Sequence, residues 1–387
     1  MNQGLYFAQL TDLHVGNNDL NGEQAKRNLR LALEELEHLT PQPQCVLVTA
    51  DLVCSGRRDE LEVYCSLVDG TPLDLYAVPA NHDLWGEPDG SAWEEWLGPT
   101  RHAVDMDGLR VVLFDDLRRQ PDGAWKAIVP PEQMDWLDSQ LAGAEGRTKL
   151  VAYHAPILPE GDNYHDNWRD SNADEFLALL RGHDVRSMIT GHWHRCGEWT
   201  VGGVQTINAG ALTGWQWTGI PPYWSFPVRP GYRLFHFDAG VLRTFWRELG
   251  SQEMRAPAQI GLVHVGGVHT GGPRPQVRPV SVFASVPLHV QTWSSEAPVD
   301  SVEWSVAHGD WRPMTATWDG LWTDWEAQLD WQQVRAGECT CVVRARRDGR
   351  PVAYDAVPLT VSEWHSPPMA NAVPQRERVF ELFYVPE

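Results

Sequence analysis

The chain has 387 residues, 42% hydrophobic and 21% charged, a globular composition too long for one ordinary core, so two domains are the default. Its 31 Lys and Arg against 52 Asp and Glu give a formal net charge of -21, which disfavours long nucleic acid and anionic membrane as partners. No apolar run reaches the length of a membrane span.

The opening "MNQGLYFAQL" lacks a basic and then apolar leader pattern and reads as a strand, not a signal peptide. Strand-like runs are predicted at Leu5–Leu10, Cys45–Thr49, Leu73–Val78, Leu109–Phe114, Lys149–Tyr153, Val185–Thr190 and Val204–Ala209. Helical patterns fall between them at Glu23–Leu39, Glu132–Leu141 and Ala173–Arg181; the first carries Leu29, Leu33, Leu36 and Leu39 at helical spacing. Strands alternating with helices imply an α/β layer architecture. "YRLFHFDAGVLRTFWREL" is a hairpin around an Asp-Ala-Gly turn and closes a first domain over residues 1–250. Residues 251–278, rich in Gly and Pro, read as a linker. Residues 279–365 hold short strand-like runs with many tryptophans, the pattern of an immunoglobulin-like β-sandwich. Most of those tryptophans are expected in packing, with a ligand-binding aromatic face as the alternative. Residues 366–387 form a tail. The six cysteines show neither a disulfide framework nor a C-x-x-C pair, which favours a reduced, cytoplasmic setting.

Chemistry concentrates at strand ends. "QLTDLHVGNN" places Asp12 and His14 after the first strand, two apart and so on one face in extended chain. An isolated D-x-H is most often a turn in which the Asp bonds its own backbone. Here partners follow: Asp51 in "VTADLV", Asn81, His82 and Asp83 in "PANHDLW", His154 in "AYHAP", and His192 and His194 in "TGHWHR". In an α/β sheet, sites assemble at the C-terminal strand ends. Imidazole with carboxylate and amide oxygen is a ligand set for transition metals, and there are too many donors for one ion. They suit two ions about 3.5–4 Å apart.

In that order the motifs D-x-H, G-D, G-N-H-[DE], H and G-H-x-H resemble those of the calcineurin-like metallophosphoesterases, over roughly the first two-thirds of the chain. Ala50 and Ala80 depart from the pattern, standing where that family usually has Gly. The resemblance implies a four-layer α/β/β/α metallophosphoesterase sandwich. It also implies two divalent or trivalent ions (Mn, Fe or Zn), one held by Asp12, His14, Asp51 and His194 and the other by Asp51, Asn81, His154 and His192. Asp51 would bridge, a metal-bridging hydroxide would attack phosphorus, and His82 would assist the leaving group. Asp83 is expected to orient His82 or to cap the following turn. The G-N-H-D form resembles the cyclic-nucleotide phosphodiesterase branch, so a small phosphodiester such as a cyclic nucleotide is the expected substrate. A phosphomonoesterase is the alternative, as is a binding module whose sandwich recognises a glycan or protein.

Substrate contacts are expected from Tyr164, His165 and Arg169 in "NYHDNWRD", and from Trp215, Trp217, Tyr223 and Trp224 in "GWQWTGIPPYW". The first group would belong to a loop over the metals. The second would form a wall for a base or sugar.

Overall fold

The computed structural model describes residues 4–16, 20–157, 168, 171–194, 196–214, 230–249, 259–265, 268–269, 280–282, 286–293, 297–329 and 337–361. The chain forms two compact units, Met1–Leu249 and Gly250–Glu387.

The first unit runs β1 (Leu5–Leu10), α1 (Leu20–His38), β2 (Val46–Thr49), α2 (Arg58–Val68), β3 (Leu75–Val78), α3 (Asn81–Leu84) and α4 (Ser91–Leu97). There follow β4 (Arg101–Met106), β5 (Leu109–Phe114), β6 (Leu117–Arg119), β7 (Trp125–Ala127), α5 (Pro131–Ala142), β8 (Thr148–Ala152) and α6 (Ala173–Gly182). It ends with β9 (Val185–Thr190), β10 (Gly197–Val201), β11 (Val204–Asn208), β12 (Gly231–Asp238) and β13 (Val241–Glu248).

Two sheets result, in the orders β13-β12-β1-β2-β3 and β10-β11-β9-β8-β5-β4. The alternation within β5 explains their stacking. Val111 and Leu113 share a core with Leu150, Ile189 and, from the other sheet, Phe7, Leu47 and Phe235. Val112 and Phe114 point the opposite way, onto Leu137 and Leu141 of α5 and Phe176 and Leu180 of α6. A strand buried on both faces is what a central layer requires. On the far side, α1 buries Leu29, Leu33 and Leu36. Its Glu35 accepts a hydrogen bond from the Tyr232 hydroxyl at 3.0 Å and pairs with Arg247 at 3.3 Å. The first unit is therefore a four-layer α/β/β/α sandwich. None of its described helices is long and apolar enough to cross a membrane.

The second unit is all-β among its described residues: β14 (Gln259–Val265), β15 (Val268–His269), β16 (Val280–Val282), β17 (Val286–Trp293), β18 (Ser301–Val306), β19 (Arg312–Pro313), β20 (Thr315–Asp319), β21 (Thr323–Leu329), β22 (Gly337–Arg347) and β23 (Arg350–Val361). Its sheets are ordered β15-β14-β17-β21-β20 and β16-β23-β22-β18-β19. Leu288, Val290 and Trp325 of one share a core with Val302, Trp304, Val343 and Leu359 of the other.

The structure differs from the sequence expectation at the segment read as a linker. Within residues 251–278, β14 pairs antiparallel with β17, Gln259 opposite Trp293 and Leu262 opposite Val290. Gly and Pro on either side obscure this short strand, which β17 supplies with backbone partners. The expected tail, 366–387, lies outside the described residues.

Candidate metal centre

Within the two sheets of the first unit, β1, β2 and β3 run parallel, as do β5, β8 and β9, and each set brings its C-terminal ends to one edge. β1 ends just before Asp12 and His14, β2 before Asp51, β3 before Asn81, β8 before His154, and β9 before His192 and His194. The two edges are bonded to each other. Gln9 Nε2 donates to the Thr190 carbonyl at 3.0 Å, His154 Nδ1 to the Thr49 carbonyl at 2.9 Å, and the His192 amide to Asp12 Oδ2 at 3.0 Å.

Bringing these side chains together takes unusual backbone. Asp12, His14, Ala50, Asp51, His192 and His194 have φ between 49° and 73°. That left-handed region costs a non-glycine residue about 1–2 kcal/mol, and such strain clusters at functional sites. The two alanines in glycine positions separate here. Ala50 is left-handed at φ 73°, whereas Ala80 is ordinary extended chain at φ -137°. Gly191 is required for space: a Cβ there would lie 2.0 Å from Thr11 Oγ1 and 2.7 Å from Asp12 Oδ2.

Six of the seven expected ligands, Asp12, His14, Asp51, His154, His192 and His194, converge, mostly buried, and Asn81 is buried next to His82 in the chain. The carboxylates divide their oxygens. Asp12 Oδ2 accepts from the Thr11 hydroxyl and the His192 amide, while Oδ1 lies 3.3 Å from His194 Nε2 and 3.8 Å from His154 Nε2. Asp51 Oδ1 accepts from the His82 amide at 3.2 Å, while Oδ2 lies 3.1 Å from His154 Nε2 and 3.8 Å from His14 Nε2. His14 Nε2 and His194 Nε2 are 3.1 Å apart. Donor atoms of Asp12, His14 and His194 lie within 4.8 Å of one another, as do those of Asp51, His154 and His192. Asp51 Oδ2 thus faces a histidine of each group.

These atoms fit cations. Asp12 Oδ1, Asn81 Oδ1 and His154 Nε2 are buried with no hydrogen-bond partner. A carbonyl only accepts, so the bond to Thr49 puts the His154 proton on Nδ1 and leaves a lone pair on Nε2 of the neutral ring. That lone pair is aimed at Asp51 Oδ2, another acceptor, and a cation between them satisfies both. Without a cation, a second proton on Nε2 fills the same place. Burial pushes the His154 ring down, but Asp51 and Asp12 outweigh it and push it up to about 10. Burial likewise raises the Asp51 carboxyl, but His154 and His82 hold it well below the usual carboxylate range. The site asks for positive charge, and divalent metal ions supply it.

Further residues hold the ligands in place. Asp83 accepts the backbone amides of Asp51 at 2.8 Å, Ala80 at 3.0 Å and Val53 at 3.1 Å. These bonds match neither expected role: they fix the turn that carries Asp51 and the start of α3, not the turn that follows Asp83. His82 takes its orientation from elsewhere: Nδ1 lies 2.7 Å from the Cys54 carbonyl, its ring packs edge-on to His14, and Trp85 covers it. The donor atoms of His14, Asp51 and His82 also lie within 4.8 Å of one another, so His82 adjoins the ligands.

Sequence reasoning missed Thr11, Cys54, Trp85 and Asp116. Asp116, pushed up to about 6 by burial, accepts the His154 amide at 3.1 Å and the Ala155 amide at 2.9 Å. Its signal was the Asp-Asp pair directly after the run Leu109–Phe114, one more strand end. Tyr164, His165, Arg169, Trp215, Trp217, Tyr223 and Trp224 lie outside the described residues.

Comparison with known proteins agrees with this geometry. Residues 5–196 match the calcineurin-like phosphoesterase family. A glycerophosphodiester phosphodiesterase of Enterobacter lignolyticus is 26% identical over 195 residues, covering 47% of this chain and 63% of that protein. A probable cyclic nucleotide phosphodiesterase of Rhodococcus erythropolis is 26% identical over 212 residues, covering 51% of this chain and 68% of that one. A 3',5'-cyclic-nucleotide phosphodiesterase of Nostoc is 24% identical over 207 residues, covering 49% and 71%. The chain thus spans under two-thirds of the first of these relatives, and each match covers about half of it. The first unit of this chain is a calcineurin-like phosphoesterase domain.

Proposed function

We propose that this protein hydrolyses small phosphodiesters, cyclic nucleotides among them, at a two-metal centre. The observation that carries the reading is Asp51 Oδ2, which faces His14 of one donor group and His154 of the other. On this reading Asp12, His14, Asp51 and His194 hold one ion, and Asp51, Asn81, His154 and His192 hold the second. Manganese, iron and zinc suit such mixed imidazole and oxygen ligands. Two bound cations supply a nucleophile at neutral pH and neutralise charge on the phosphate oxygens. The names of the similar proteins, glycerophosphodiester and cyclic-nucleotide phosphodiesterases, support diester substrates. The six free thiols suit a reducing cytoplasm, and the second unit is an immunoglobulin-like sandwich.

His82 moves the proton. Its bond to the Cys54 carbonyl fixes one proton on Nδ1. Nε2 is then the ring atom that can carry the transferable proton, beside the donor cluster. It gives that proton to the leaving oxygen. An alkoxide needs the proton far more than a nitrophenolate does. His82→Ala is therefore expected to lose about 10²–10⁴-fold on a cyclic nucleotide, and much less on a nitrophenyl phosphodiester, with metal content unchanged. Equal losses on both substrates would make His82 a phosphate-binding group, and loss of one metal equivalent would make it a ligand.

A further inference from the structure

We infer that Trp85 is the platform on which the organic part of the substrate stacks, and that this part is planar: a nucleobase. The inference rests on the phosphodiesterase reading above and narrows it.

Three observations carry it. Trp85 is 42% exposed, one of few large apolar side chains left at the surface among the described residues. Core packing therefore does not account for it. Its ring centroid lies 4.1 Å from that of His82, which in turn lies 4.6 Å from that of His14. An indole face thus stands two ring contacts from the donor cluster, where a phosphate held at the cluster would extend its organic group. Finally, the backbone around Trp85 is locked. Gly56 and Gly86 cross so closely that a Cβ on Gly56 would lie 2.4 Å from the Asp83 carbonyl oxygen, and one on Gly86 would lie 2.4 Å from that of Gly56. The segments after β2 and β3 are pinned together, so the backbone that carries the ring is held in place.

Trp193, between two ligands, is different: it is half-buried and its ring stacks on Trp199 at 6.1 Å. An exposed indole on a held backbone rewards a ligand with a π-face of its own and does little for a polyol. That favours nucleotides over glycerol diesters.

The test compares two phosphates that differ by a base. Binding of AMP and of ribose 5-phosphate to the full chain loaded with Mn²⁺ is measured by calorimetry for the wild type, Trp85→Ala and Trp85→Phe. Wild type should prefer AMP by about 10-fold or more. Trp85→Ala should lose that preference, with ribose 5-phosphate affinity and metal content within about 2-fold of wild type. Trp85→Phe should fall between them, which guards against misfolding of the alanine variant. An undiminished preference in Trp85→Ala, or none in wild type, overturns the inference. Failure of the phosphodiesterase reading would show separately, as a wild type that turns over neither cyclic AMP nor bis(nitrophenyl) phosphate. The binding comparison still decides the role of Trp85 in that case.

Discussion

Gly191→Ala adds one methyl group at the point where the two sheet edges meet. That Cβ would sit 2.0 Å from Thr11 Oγ1, 2.7 Å from Asp12 Oδ2 and 3.0 Å from Thr11 Cβ. Gly191 is not among the positive-φ glycines, so the conflict is one of space alone. The hydroxyl has to swing away, and its single proton, which lies within reach of Asp12 Oδ2 at 2.9 Å and of the Thr49 carbonyl at 2.9 Å, then loses its acceptor. A bond to a carboxylate is worth about 1.5–3 kcal/mol, so about that much stability should go. Asp12 also loses one of the two donors that orient it, and a lost partner of this kind typically costs about 10–100-fold in metal affinity. Urea unfolding of the metal-free protein and competition titration of Mn²⁺ would read the two effects. Thr11→Ala removes the clashing hydroxyl. The double variant should therefore be more stable than the sum of the single changes predicts, by about 1 kcal/mol or more. Wild-type metal affinity in Gly191→Ala, together with a stability loss below about 1 kcal/mol, would refute the reasoning.

The two alanines in glycine positions should respond differently to glycine. Each is fully buried, so either change loses a methyl group worth about 0.8 kcal/mol and loosens the unfolded chain. Only Ala50→Gly also relieves left-handed strain, so it should end at least about 1 kcal/mol more stable than Ala80→Gly; equal urea midpoints would contradict the strain argument. Cys45 and Cys341 sit in the cores of separate units, with burial pushing each thiol up to about 12. Both should resist iodoacetamide at pH 8 in the native protein and react after unfolding, as peptide mass spectrometry would read. Native labelling of either would mean that its core is looser than described.

The candidate ligands were legible because the strands declare themselves. Leu5–Leu10, Leu109–Phe114 and Val185–Thr190 are alternating or continuous apolar runs, and the structure ends those three strands at the expected residues. What was not legible depends on folding. Ala50 and Ala80 look alike as sequence, and only φ tells them apart. Thr11 and Asp116 matter through partners about 40 residues away or across the sheets, which no local pattern encodes. Trp85 reads as an ordinary aromatic after "NHD" until its ring is found on His82. β14 is hidden because its flanks, dense in Gly and Pro, carry a linker's composition. The loop and wall residues proposed for substrate, such as His165, Arg169, Trp215 and Tyr223, remain proposals from sequence.

The central claim is that Asp51 joins two cations, and elemental analysis of wild type beside Asp51→Asn tests it most directly. Both proteins would be saturated with Mn²⁺, desalted, and assayed for metal per chain and for hydrolysis of bis(nitrophenyl) phosphate. Wild type should hold about two equivalents, with Asp51→Asn losing most of one equivalent and nearly all activity. One equivalent in wild type, or full loading and full activity in Asp51→Asn, would contradict it.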